Sequence, residues 1–315
     1  MPITLAAYHE IYKTANVERA LGQLPEDSRA LARLYEKMIE RGGERFVSKP
    51  SAVPDVSEWR AQSPNFGDVI DEVLREIALV VDTDDPLELT PILLVGDPGV
   101  GKTRFARGLA AILGTGNATI SLAQTTAGWV VGGSAATWQG AKPGKVFETL
   151  LHGETSNPVV TIDEIDKASS GQYDPLGAFY ALLERDTAAE FVDEYVDLPV
   201  DASRILWIAT ANDTRSVPEP ILSRMRVIEV RPPTREEARV IAAAMYREQR
   251  AAHRWGDFFA AEPADAVLDA LEGVSPRELG HLLRSAFGAA KMAGRSELTV
   301  DDLGTQKQRR PRMGF

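Results

Sequence analysis

Three short apolar runs, a glycine-rich turn after the first of them, and a change to purely helical periodicity beyond residue 232 predict an α/β chain, a doubly wound parallel sheet followed by an all-α domain. Pro91-Ile-Leu-Leu-Val95, Val159-Val-Thr-Ile162 and the run from Ile205 to Ala209 are continuous rather than alternating, as strands covered on both faces must be. Helical stretches separate them, one from Lys102 to Leu113, and ligands of such sheets gather outside the carboxyl ends of the strands. After Pro232-Pro233 the spacing predicts helices over Arg235 to Ala252, Ala264 to Leu271 and Pro276 to Met292.

Upstream, Leu31, Leu34, Tyr35, Met38 and Ile39 recur at helical spacing before Gly42-Gly43, and a weaker helical pattern covers Leu5 to Leu21. The first 42 residues thus read as a helical hairpin, structural or a docking element. Phe46 to Pro64, with three prolines, three serines and little periodicity, reads as a linker, and a helix is expected from about Asp68 to Val81.

At 315 residues the chain is long enough for about two domains. Its net charge of −11 disfavours the phosphate backbone of nucleic acid as a partner. With no cysteine there is no disulfide, thiolate metal site or cysteine nucleophile, and a reducing, cytoplasmic setting is the simplest expectation. No stretch approaches the length of a membrane span, and the first ten residues lack the basic flank of a secretory leader.

Chemistry concentrates at strand ends. Gly96-Asp97-Pro98-Gly99-Val100-Gly101-Lys102-Thr103 fits G-x-x-x-x-G-K-[ST], after a buried strand and opening a helix. In that context the backbone N–H groups cradle phosphate oxygens, Lys102 reaches the β and γ phosphates, and Thr103 supplies a magnesium ligand. The second run leads straight into Asp163-Glu164. One carboxylate suits magnesium through its waters and the next suits polarising the attacking water, so Asp163 is assigned to the metal and Glu164 to the base. Asn212 ends the third run, a neutral amide able to hold that water or the γ-phosphate. Arg224 and Arg226 are candidate cations for phosphoryl-transfer charge. The implied ligands are ATP and Mg2+.

These motifs, in this order, resemble AAA+ ATPases and, among them, the HslU/Lon-like clade and the ATPase module of Lon proteases. The resemblance runs from about Asn65 to Leu303. It includes Trp138-Gln-Gly-Ala-Lys-Pro-Gly-Lys145, Asp163-Glu-Ile-Asp-Lys167, Ser156-Asn-Pro158, Asp174-Pro175, Phe191-Val-Asp-Glu-Tyr195, Ile208-Ala-Thr-Ala-Asn212 and Ile221 to Ile228. It implies a division into a helical extension and linker (1–64), an AAA+ α/β ATPase domain (65–231), a helical lid (232–303) and a basic tail (304–315). It also implies roles. Asn212 matches the sensor-1 position, Arg224 the arginine finger that reaches the adjacent subunit's nucleotide, and Arg277 the sensor-2 arginine of the lid. Phe66-Gly67 falls where Lon-like modules carry an aromatic-glycine pair beside adenine. Trp138 matches the first pore-loop aromatic that grips a translocating polypeptide, in a glycine-rich segment expected to be mobile, and Ser169 to Asp174 with Tyr173 is a candidate second pore loop.

The chain ends soon after the lid, so a Ser-Lys peptidase domain is not expected on it. In the two-component protease HslUV the ATPase docks its C-terminal tail on a separate peptidase. Met313-Gly-Phe315 is a candidate anchor of that kind, with a solubilising tail as the alternative. The resemblance therefore implies an ATP-driven protein-remodelling or unfolding motor acting as a ring homo-oligomer, a hexamer by analogy. Its expected partner is a polypeptide substrate, with room for a separate peptidase or adaptor, and neither nucleic acid nor membrane is expected. The alternatives are a nucleic-acid-acting ATPase and a slow nucleotide-switch assembly factor.

Overall fold

The computed structural model describes residues 3–124, 128–138, 140–168 and 174–304. Along the chain, β1 (Ile3–Glu10) leads to α1 (Thr14–Leu21), α2 (Arg29–Arg41), β2 (Glu44–Pro50), α3 (Ser57–Gln62) and α4 (Gly67–Val80). Next come β3 (Ile92–Val95), α5 (Lys102–Leu113), β4 (Asn117–Ser121), α6 (Trp129–Gly132), α7 (Lys145–His152) and β5 (Val159–Asp163). The short α8 (Phe179–Leu182) and α9 (Arg185–Ala188) precede β6 (Phe191–Val192) and β7 (Pro199–Val200), then β8 (Leu206–Ala211), α10 (Glu219–Leu222) and β9 (Arg226–Glu229). Finally α11 (Arg235–Ala251), α12 (Asp265–Ala270) and α13 (Pro276–Met292) follow. No helix among the described residues is long and apolar enough to cross a membrane.

Five parallel strands form one sheet in the order β4-β5-β8-β3-β9. The three apolar runs are its centre, β5, β8 and β3, buried on both faces as their continuous hydrophobicity requires. The two edge strands were not evident in the sequence. In β9, Arg226, Val227 and Glu229 are exposed, and in β4 only Ile120 is fully buried, so neither reads as an apolar run. Register aligns the ends that matter: Val95 pairs with Ala211 and Ile162 with Ala209, which sets Asp163 level with Thr210.

Contacts divide the chain into two compact units. The first takes the residues up to Asp55, Asp68–Gly96 and Lys102–Glu229; the second takes Val56–Gly67, Asp97–Gly101 and the chain from Val230. The expected linker thus contributes α3 and a 3-10 turn, Pro64–Phe66, to the helical unit. That unit buries Tyr246, Phe259, Leu279, Leu283 and Phe287 among its helices. α11 and α13 each start on a capping box, Thr234 with Glu237 and Ser275 with Glu278, which satisfies the N-cap and N3 N–H groups.

At the N-terminus the two expected helices are α1 and α2, but the segment before them is a strand. Residues 3–10 pair antiparallel with β2, whose residues from Phe46 on fall in the expected linker. The sequence ITLAAYHE carries apolar residues compatible with either period, and pairing to a distant segment decides between them. This β-α-α-β element shares the core of the sheet: Ile11, Val17, Tyr35 and Met38 lie in one apolar cluster with Ile162, Trp207 and Ala209. Its polar ties are buried. Tyr35 Oη donates to Val196 O at 2.6 Å. The Arg45 guanidinium donates to Leu150 O and Leu151 O at the end of α7. Lys49 Nζ donates to the carbonyls of Val80, Thr83 and Asp85 past α4, a cation where helix ends favour one. The Asn157 side chain acts as a strand segment, its Oδ1 accepting from Ser48 N at 3.0 Å and its Nδ2 donating to Ser48 O at 2.6 Å.

Because both Ser48 groups are buried, Asn157→Ala leaves a donor and an acceptor unpaired, at a cost of about 1–3 kcal/mol for each group. Urea unfolding is expected to show a midpoint lowered accordingly, and an unchanged midpoint would mean that β2 is held by other contacts.

Candidate nucleotide site

The carboxyl ends of β5 and β8 and the start of α5 meet at Asp163. Its Oδ1 accepts from Thr103 Oγ1 at 2.8 Å and from Thr210 Oγ1 at 2.7 Å. Thr210 Oγ1 in turn accepts from Glu164 N at 2.9 Å. The equal register of the strands delivers this arrangement, since Asp163 sits at the last position of β5 and Thr210 one short of the end of β8. Lys102, largely buried, donates from Nζ to Gly96 O at 2.6 Å and reaches Asn212 Oδ1 at 3.4 Å. Lys102, Thr103, Asp163, Glu164 and Asn212, predicted from separate motifs, are thus brought together.

Glu164 turns the chain out of the strand in the left-handed region, φ 56° and ψ 51°, and is exposed. A non-glycine residue held there costs on the order of 1–3 kcal/mol, and such positions cluster where a side chain must be aimed. The loop between β3 and α5 needs the same region twice, at Gly99 (φ 87°) and Gly101 (φ 104°), which only glycine supplies without strain. Asp97–Gly101 belongs to the second unit. There a Cβ on Gly101 would lie 3.7 Å from the buried Phe66 ring, and Asn65 Nδ2 reaches Val100 O at 3.5 Å. Phe66, next to Gly67 at the start of α4, is therefore packed on the loop. A Cβ on Gly99 would lie 3.4 Å from Ser275 Cβ, so the start of α13 also lies against it. Arg277, exposed in the first turn of α13, makes no hydrogen bond or ion pair among the described residues.

The donor set suits magnesium. One carboxylate and one hydroxyl stand within hydrogen-bond distance, and no cluster of three or more His, Cys, Asp or Glu forms a metal cage among the described residues. Magnesium bound with ATP typically takes few protein ligands and keeps several waters and phosphate oxygens.

Arg224 lies elsewhere in the first unit. Its Nε meets Glu184 Oε1 at 2.7 Å and its Nη1 donates to Pro220 O. Arg226, at the start of β9, pairs with Glu72. Trp138 is 49% exposed and does not belong to the core. The segment before it, expected as a mobile glycine-rich loop, holds the helical turn α6. Tyr173 and its segment 169–173, together with the basic tail and Met313-Gly-Phe315, lie outside the described residues.

Residues 92–232 match the model of the ATPase family associated with various cellular activities, AAA. Over this segment, 141 of the 315 residues, the chain is similar to AAA ATPase domains. It is similar to the mitochondrial Lon protease homolog of Rattus norvegicus, 44% identical over 136 residues, 43% of this chain and 14% of that protein. The Lon protease of Lachnoclostridium phytofermentans is 41% identical over 147 residues, 46% of this chain and 18% of that protein. The chain thus spans less than a fifth of these relatives. Among solved structures, the S. cerevisiae Hsp104:casein complex in its extended conformation shares the fold, with a TM-score of 0.60, 14% identity, and coverage of 89% of this chain and 53% of that one.

Two residues of this segment whose structural part sequence reasoning missed are Thr210 and Asp193. Thr210 lay inside an apolar run, and only register reveals its contact with Asp163. Asp193, fully buried, accepts from Gly144 N at 2.7 Å, Tyr195 N at 2.9 Å and Val196 N at 3.2 Å. It pins the segment carrying Trp138 to the β6–β7 hairpin, and a Cβ on Gly133 would come within 2.2 Å of its carboxylate. Burial pushes its carboxyl up to about 6, although the three N–H donors act to lower it. Its folded value lies above the unfolded one, so the stability linked to it is complete below the ordinary carboxylate range and is lost as pH rises through about 6.

Asp193→Ala is expected to destabilise the domain by about 2–4 kcal/mol, since it strands buried donors. The gap between wild type and variant should be wider at pH 5 than at pH 7.5 in urea unfolding. A gap independent of pH would mean that the carboxyl does not titrate in this range.

Proposed function

We propose that the chain is an ATP-driven, Lon-like protein-remodelling motor that hydrolyses ATP in a ring and engages polypeptide through its Trp138 segment. The observation that carries it is the convergence of Lys102, Thr103, Asp163 and Asn212 beside an exposed Glu164 at the strand ends of an AAA domain. The N–H groups of Gly99, Val100 and Gly101 cradle the phosphates, Pro98 having none to offer, and Lys102 leaves its Gly96 carbonyl for the β and γ oxygens. Thr103 and Asp163 would hold magnesium, which when bound neutralises charge on those oxygens. Asn212 orients a water whose oxygen attacks the γ phosphorus as the bond to the bridging β–γ oxygen breaks. Glu164 takes the proton. Phe66, Gly67 and Arg277 are the further nucleotide-binding residues that the resemblance to Lon ATPase modules implies. Arg224, held at rest by Glu184, serves the adjacent subunit, so full turnover needs the ring.

The homo-oligomer is a hexamer by analogy with Lon. A polypeptide substrate is supported by the match to Lon ATPase regions, and the related Hsp104 structure is a complex with casein. The proposed setting is the cytoplasm, and a separate peptidase or adaptor would supply any proteolysis. A nucleic-acid motor is the weaker reading, because the chain carries a net charge of −11.

The test is the steady-state ATPase rate of wild type and Glu164→Gln, each with an unfolded polypeptide and with single- or double-stranded DNA. Stimulation by polypeptide alone is expected, with Glu164→Gln slower by about 10²- to 10⁴-fold yet still binding ATP. Stimulation by DNA alone contradicts the proposal, and stimulation by neither favours a slow switch. Lys102→Ala is expected to abolish nucleotide binding in a direct titration. Arg224→Ala should lose on the order of 10³- to 10⁵-fold in turnover and recover part of it when mixed with Lys102→Ala. No rescue in stable mixed rings would place the arginine's action within one chain.

A further inference from the structure

The segment that carries Trp138 holds a second tryptophan, Trp129 in α6, and the two indoles meet edge to face with centroids 6.0 Å apart. Both line an open cavity of about 510 Å³ in the first unit. Phe191 contributes a further apolar wall, and glycines at 128, 132, 133 and 177 keep the cavity free of side-chain bulk. Three exposed carboxylates, Asp174, Glu190 and Glu194, also line it, and among the described residues no lysine or arginine does. Asp174 Oδ1 accepts from Leu176 N at 2.9 Å, whereas Glu190 and Glu194 form no ion pair among the described residues. The Asp193 carboxylate, pinned behind this wall, fixes the position of Glu194 relative to α6, whose Gly132 O accepts from Glu194 N at 2.8 Å.

Indole faces attract cations through their quadrupole, and carboxylates around them add like-signed attraction. A phosphate-bearing strand would bring anions against three carboxylates. A purely apolar side chain would fill the aromatic part but strip water from the acids without pairing them. A lysine or arginine side chain satisfies both, laying its methylenes on the rings and its charge at the rim.

We propose that the Trp129–Trp138 cavity is a side-chain pocket selecting Lys- and Arg-bearing segments of the polypeptide the motor engages. This rests on the polypeptide reading above and adds to it the class of sequence preferred and a second aromatic contact, Trp129.

The experiment uses the full chain and three unfolded polypeptides of equal length, identical except that every fourth residue is Lys, Ser or Glu. The readout is the ratio of concentrations giving half-maximal ATPase stimulation, taken within each variant so that basal rates cancel. In wild type the Lys polypeptide is expected to act at about tenfold lower concentration than the Ser one, and the Glu one only at higher. Glu190→Gln combined with Glu194→Gln should bring the Lys:Ser ratio close to one, and Trp129→Leu should lower it severalfold. Glu26→Gln with Asp27→Asn, an exposed pair between α1 and α2, should leave it intact. If the control pair abolishes the preference as fully, overall charge and not the pocket is responsible, and the inference falls. If Lys and Ser polypeptides stimulate wild type equally, it also falls while the polypeptide reading stands. If none stimulates, the polypeptide reading falls; binding of the fluorescently labelled Lys and Ser polypeptides, followed by anisotropy in wild type and Trp129→Leu, then decides the pocket, and equal binding overturns it.

Discussion

Two hydroxyls donate to one oxygen of Asp163, and most of the site's geometry depends on that sharing. Thr103 comes from the first turn of α5 and Thr210 from β8, so a single carboxylate ties the helix after the phosphate loop to the neighbouring strand. An ionised carboxylate accepts only, and charge-assisted bonds of this kind are about twice as strong as neutral ones. The Thr210 hydroxyl, committed as donor to Asp163, offers its lone pairs to Glu164 N. The left-handed turn at Glu164 is thereby held in place, and a strained residue persists because its surroundings fix it. Thr103, Asp163, Thr210 and the backbone of Glu164 thus form one hydrogen-bonded set.

The same economy governs the segment bearing Trp138. A buried Asp193 gathers three backbone donors, and glycines at 133 and 144 permit the approach: a Cβ at either would strike the Asp193 carboxylate or the Val131 carbonyl. The buried carboxylate roots the segment, and the half-exposed Trp138 lies at its outer end.

Much of this was legible in the sequence because it follows short-range rules. The central strands announced themselves as unbroken apolar runs, α5 and α13 lie where helical spacing put them, and the phosphate loop is a contiguous motif. What escaped notice depends on partners far along the chain. The strand at 3–10 forms only by pairing with 44–50, β9 is an exposed edge defined by its register with β3, and Thr210 acquires meaning only beside Asp163. Asp193 is one of two adjacent acids in 191–195, and its burial is a property of the packed loop.

The central claim, that the shared Asp163 oxygen organises the metal-bearing half of the nucleotide site, is tested most directly by Thr210→Val in a Glu164→Gln background. ATP affinity would be measured calorimetrically with and without magnesium. Loss of a bond that orients a metal ligand typically costs 10- to 100-fold in metal affinity. The account predicts that magnesium's enhancement of ATP binding falls by about that factor while metal-free ATP binding is retained, and that Thr210→Ser restores the enhancement. An enhancement unchanged in Thr210→Val would contradict it.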